Sequence, residues 1–144
     1  MKPGYKIIIA GLLVYGGFKI KEIIDVMPYE EKANHFALLL QQNKPFEAQE
    51  VLTMQLQKEV SIEKISTLIR EQNLTKTQDV IWFDGLKNEG NYTLEGDFVF
   101  SNKHKVPAVF SFLRDPEEEI KIHTLQIGDT LFSSSENNRT DFLE

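Results

Sequence analysis

Around Thr75 the spacing of apolar residues changes from a helical period to a period of two, which sets the order of the fold: helices first, sheet second. Between Tyr29 and Gln42, the residues Ala33, Phe36, Ala37 and Leu40 share one helical face. Asn43 and Pro45 close that run. Pro45 suits the first turn of a second helix, which turns Ala48, Val51 and Leu52 inward and ends near Gln57. Ser61 is placed to cap a third helix reaching about Asn73, with Glu63 in its first turn and Ile62, Ile65 and Ile69 on one face.

Beyond Thr75, Asp79 to Leu86 reads as a strand covered on both faces or lying at a bend, since Val80, Ile81, Trp82 and Phe83 are contiguous. A turn at Asn88 to Asn91 leads into an alternating run. In it Tyr92, Leu94, Phe98 and Phe100 lie on one side and Thr93, Glu95, Asp97 and Ser101 on the other. Gly96 falls on the apolar side, where a missing side chain marks a bend or bulge. Val106, Ala108, Phe110 and Phe112 predict a third strand. Ile120, Ile122, Leu125 and Ile127 predict a fourth, with a slip of phase near Thr124. Asp129 to Glu144 is polar and without period, and is expected to be a disordered tail.

Ahead of the helices, Ile7 to Phe18 (IIIAGLLVYGGF) is uncharged and flanked by Lys2 and Lys6 on one side and Lys19 and Lys21 on the other. Its twelve residues would span only ~18 Å as a helix, against a hydrocarbon layer of ~30 Å. Ile20, Ile23, Ile24 and Met27 continue an apolar helical face as far as Pro28, where the first helix is expected to end. With the lysine ammonium groups snorkelling outward, the segment from Lys6 to Ile24 reaches across a bilayer. The expected anchor residues are Ile7, Ile8, Ile9, Leu12, Leu13, Val14 and Phe18, with residues 7–24 in lipid. Cleavage after Gly16, which would yield an exported soluble protein, is the rival reading. A buried core helix is a third.

Charge and cysteine content limit the remaining options. The formal net charge is −6, and the 16 lysines and arginines are scattered rather than interleaved with aromatics, so nucleic acid is not an expected partner. Zero cysteines exclude disulfides, thiolate metal sites, thiol catalysis and lipidation at cysteine. The expected domains are an anchor and juxtamembrane helix over 1–28, an α+β domain over 29–129, and a polar tail over 130–144.

The order of elements resembles the nuclear transport factor 2-like, or cystatin-like, superfamily. The resemblance is carried by the opening helix ANHFALLLQQNKPFEAQEVL, the Ser-capped helix, the two-strand run NYTLEGDFVFSNKHKVPAVFSFLRD and the closing EEIKIHTLQIG. It implies three helices wrapped by a curved four-stranded antiparallel sheet, with a pocket at the open end of a cone. That scaffold hosts isomerases, dehydratases, ligand carriers and structural modules alike. Single-span members, such as the bitopic inner-membrane subunit of type IV secretion systems, help assemble envelope machines. Mitochondrial inner-membrane assembly factors are a looser analogy.

Catalysis in such a cone needs a buried carboxylate or histidine beside a second polar group. The candidates are Asp84, Tyr92, His35 and His123, and no two are tied by spacing. His35, His104 and His123 are too far apart in sequence for a metal motif, and no glycine-rich nucleotide loop or GxSxG is present. No cofactor is expected. Trp82 and Phe83 are adjacent and point to opposite faces of their strand, which hints at an aromatic contact for a partner; Phe83 lying under the tail is the alternative. Trp82, Phe83, Asp84, Tyr92 and His123 are thus the candidate pocket or partner-contact residues. The function expected is a non-catalytic interaction or assembly subunit of a membrane complex in the bacterial inner membrane, with the domain in the periplasm; the mitochondrial inner membrane is the alternative location. Its partners would be other membrane-associated subunits. A ligand-binding or isomerase-like domain is the alternative.

Overall fold

The computed structural model describes residues 17–88, 91–114 and 119–134, with the side chains of the first helix described from Met27 onward. The expected anchor residues Ile7, Ile8, Ile9, Leu12, Leu13 and Val14, the side chain of Phe18, and positions 135–144 of the expected tail lie outside the described residues.

Helix α1 runs from Gly17 to Gln41 and carries Pro28 in its interior, so the expected break at that proline does not occur. A proline removes one hydrogen bond and crowds the preceding turn, at a cost of about 3 kcal/mol. Burial on the C-terminal side offsets it: Tyr29, Ala33, Phe36, Ala37, Leu39 and Leu40 are all buried. The two expected helices on either side of Pro28 are therefore one element.

The second expected helix is instead two. Helix α2 spans Pro45–Gln49 with Pro45 in its first turn as expected, and α3 spans Met54–Glu59. Between them Leu52 leaves the helix to form a parallel bridge with Ile122. Ile122 N–H donates to the Val51 carbonyl at 3.0 Å, and Thr53 N–H donates to the Ile122 carbonyl at 2.9 Å. Thr53 then caps α3, its hydroxyl accepting from Leu56 N–H at 3.2 Å. Helix α4, Ile62–Glu71, starts as the sequence predicts, with the Ser61 hydroxyl accepting from Lys64 N–H at 3.1 Å. A short 3-10 turn, Leu74–Lys76, carries the chain into the sheet.

Among the described residues five strands follow where four are expected: β1 Thr77–Asn88, β2 Asn91–Phe100, β3 Lys105–Arg114, β4 Ile120–Ile127 and β5 Thr130–Ser133. They form one antiparallel sheet in chain order. The fifth strand lies in the segment expected to be a tail. Its hairpin pairs Ile127 with Thr130 across Gly128 and Asp129, and Gly128 has φ 62°, the conformation a two-residue hairpin turn requires and glycine supplies. Gln72 Nε2 donates to the Asp129 carboxylate at 3.2 Å, holding the turn against the end of α4.

The helices cover one face of the sheet. From Tyr92 to Phe98 in β2 and from Val106 to Phe112 in β3, every second residue is buried on that face, among them Leu94, Phe98, Phe110 and Phe112. Phe36 of α1 meets Phe110 edge-on at 5.2 Å between centroids, and Tyr29 packs against Tyr92 at 4.7 Å and Phe112 at 5.8 Å. Register slips at Thr77/Asp79 and Trp82/Asp84 in β1, and opposite Ser111/Phe112 where His123 is the extra residue of β4, mark three irregularities among the described strands. Bulges bend their strands and increase twist, which wraps the sheet around α1. The expected slip near Thr124 is thus found one residue earlier.

Candidate interaction site

The bulge at Phe83 decides where the candidate residues of β1 go. Trp82 pairs with Gly96, the next pairing is Asp84 with Glu95, and Phe83 is the unpaired extra residue between them. Trp82 turns inward and packs on Phe110 at 5.3 Å, while its indole N–H donates to Asn34 Oδ1 of α1 at 2.7 Å. Gly96 makes room for it: a Cβ there would collide with the Ile81 carbonyl and the Trp82 ring. Tyr92 is also inside, stacked on Tyr29, with its hydroxyl over the space that a side chain at Gly85 would need.

Phe83 faces solvent at 62% exposure and is flanked by Ile81 at 49% and Leu86 at 68%. Three large apolar side chains therefore stand in water along the outer side of an edge strand. Asp84 is exposed among them, directly opposite Glu95, and Ile81 is opposite Asp97. Phe83 is not covered by β5, which lies at the other edge of the sheet.

His123 sits on β4, separated from β1 by two strands, so it joins neither group. It is half-buried, with Nδ1 3.3 Å from the Thr124 hydroxyl, and burial pushes its pKa below the ordinary 6.5. Asp84, Tyr92 and His123 therefore do not converge: one is outside, one is in the core, and one is on a separate strand.

By sequence, no protein-family model and no curated protein matches this chain. By structure, it is similar to a Campylobacter jejuni protein provisionally named an NTF2-like transpeptidase. The TM-score is 0.53 at 11% identity, over 65% of this chain and 94% of that one. The fold is NTF2-like.

In this NTF2-like domain, the space between helices and sheet is filled. Phe36, Phe98, Phe110, Phe112, Leu40, Leu52 and Ile122 are essentially inaccessible. Among the described residues, clefts lie at the periphery. One of about 410 Å³ is lined by Glu31, Lys32 and His35 of α1 with Arg114, Glu119 and Ile120. Another of about 470 Å³ runs between α4 and Thr130 and Phe132 of β5. Neither is lined by Asp84, Tyr92 or His123. Among the described residues, no group of three histidine, aspartate or glutamate side chains is placed to hold a metal ion. None of the described helices is long and apolar enough to cross a membrane.

Sequence reasoning singled out Trp82, Phe83 and Asp84 but not Ile81 or Leu86, the other two apolar residues of the outer row. Strict alternation places Leu86 with Trp82, and only a bulge shifts it to the side of Ile81. Gly96 was the available signal, because a glycine on an apolar face marks a close approach from the neighbouring strand.

Proposed function

We propose that this NTF2-like domain is a membrane-tethered, non-catalytic interaction module of a membrane-associated assembly. The anchor is the segment 7–24, in a bacterial inner membrane with the domain on the periplasmic side. The observation that carries the reading is the distribution of apolar surface. The interior is closed by aromatic side chains, while Ile81, Phe83 and Leu86 remain exposed in one row of the sheet. Contiguous exposed apolar surface marks a contact site.

The continuous α1 supports the tethering. From Ile24, where the lipid segment would end, to Tyr29, the first buried residue among those whose side chains are described, is a rise of only ~8 Å. A domain on so short a stalk reaches partners close to the bilayer, where tethering raises the effective concentration of a modest interface.

The test is what co-purifies with the full chain in mild detergent, after an alkaline wash of the membrane fraction. Retention in the membrane together with a stoichiometric membrane-protein partner is expected. A monomeric chain without a partner would overturn the module. A mature N-terminus at Gly17, found by sequencing or intact mass, would overturn the tether and leave an exported soluble protein.

A further inference from the structure

The row of exposed apolar side chains on β1 shares its face with an unbalanced set of charges. In an antiparallel pair, directly opposed residues project from the same face. Asp84 is opposite Glu95, Ile81 is opposite Asp97, and Leu86 is opposite Thr93, so three carboxylates are interleaved with Ile81, Phe83 and Leu86. Asp84, Glu95 and Asp97 form no ion pair among the described residues. Like charges directly opposed across a strand pair are destabilising, and a cation placed between them relieves the repulsion.

We infer that this face docks a cationic amphipathic segment of another polypeptide, with lysine or arginine meeting Asp84, Glu95 and Asp97 and apolar side chains covering Ile81, Phe83 and Leu86. The inference deepens the interaction-module reading by naming the chemistry of the partner.

Other occupants fit less well. A second copy meeting this face symmetrically would set the three carboxylates against three identical ones. An anionic lipid surface would repel them, and burying an unpaired carboxylate in a bilayer interface is costly. Addition of a further strand to the β1 edge is impeded twice. The Val80 N–H already donates to the Asp79 carboxylate at 2.8 Å, and the bulge at Phe83 interrupts the ladder. The partner therefore lies across the face rather than along the edge.

The probe is a fluorescent peptide of alternating lysine and leucine, matched to the 12 residues of β1. Its control is the same peptide with glutamate for lysine. Both are titrated by anisotropy against the full chain in phosphatidylcholine nanodiscs, with empty nanodiscs subtracted. The expected result is saturable binding of the lysine peptide, weakened by added salt, and no saturable binding of the glutamate peptide. Two variants, Asp84→Asn/Glu95→Gln/Asp97→Asn and Phe83→Ser/Leu86→Ser, are each expected to raise its Kd about ten-fold. All five positions are on the outer face, and an unchanged far-ultraviolet circular dichroism spectrum confirms the fold.

Equal affinity for the two peptides, no binding of either, or an unchanged Kd in both variants overturns the proposal. A dye on Leu86→Cys, the only thiol in the chain, reports the membrane alternative. A blue shift in phosphatidylglycerol vesicles without peptide would mean that lipid covers this face. Release from membranes by alkaline wash is scored separately: it would sink the tether and leave the peptide result standing.

Discussion

Gly96 and Phe83 determine, between them, which side of β1 is core and which is surface. Phe83 takes up the extra residue of the bulge, and Gly96 gives Trp82 a place to lie. Gly96→Ala puts a methyl group into the Ile81 carbonyl and the indole ring, and is expected to destabilise the domain by about 1–3 kcal/mol. Urea unfolding followed by the fluorescence of Trp82, the single tryptophan, measures this directly. His123 makes a second prediction at this scale. Its folded pKa lies below the ordinary 6.5 because burial disfavours the charged form. In the interval between the folded pKa and 6.5 the unfolded chain binds more protons, so stability is full above 6.5 and declines as pH falls through that window. His123→Gln is expected to flatten the urea midpoint against pH in that window; a midpoint falling as steeply as in the parent chain would assign the dependence to other groups.

The elements were legible wherever one local rule governed them. Ser61 caps α4, Pro45 opens α2, and the alternation of β2 and β3 matches their burial except at the end of β2, where Phe100 is only partly buried. The three misreadings have distinct causes. Pro28 reads as a terminator because the local cost of proline is visible in sequence, whereas the burial of Tyr29, Phe36 and Leu40 that offsets it is tertiary. The break between α2 and α3 depends on Leu52 and Thr53 pairing with Ile122, some 70 residues away in sequence. β5 was missed because Thr130 to Ser133 is short and lies beside a polar stretch, yet Gly128-Asp129 between Ile127 and Thr130 is a recognisable hairpin pair. Two mutations test the elements. Thr53→Ala is expected to lose the cap of α3 and about 1 kcal/mol by denaturant unfolding. Gly128→Ala combines positive φ with contact against the Gln72 side chain, and is expected to abolish hydrogen-exchange protection in β5 while leaving β2 and β3 protected.

For the whole molecule, the relation between the filled interior and the exposed outer row carries the functional reading. Phe36, Phe98, Phe110 and Phe112 are all buried between helices and sheet, so Phe110→Ala is expected to cost about 3–5 kcal/mol in urea unfolding. The candidate site was only half legible. Phe83 and Asp84 could be picked out as a possible contact, but their grouping with Ile81, Leu86, Glu95 and Asp97 depends on which residue of β1 the bulge signalled by Gly96 leaves unpaired, and on the β1–β2 register, neither of which the local sequence fixes. Tyr92 and His123 attracted notice as polar residues in apolar strands, and the fold places one in the core and the other on β4, separated from β1 by two strands. Absence of native cysteine makes the decisive experiment a clean one. A photo-crosslinker is attached to Phe83→Cys in the full chain in its native membrane, with Ser101→Cys in the exposed β2–β3 turn as control. The expected result is a discrete adduct with one membrane protein from position 83, absent from position 101, with the chain in the alkali-washed membrane pellet. No adduct at 83 from a chain that stays in that pellet would contradict the interaction module, and recovery of the chain in the soluble fraction would contradict the tether.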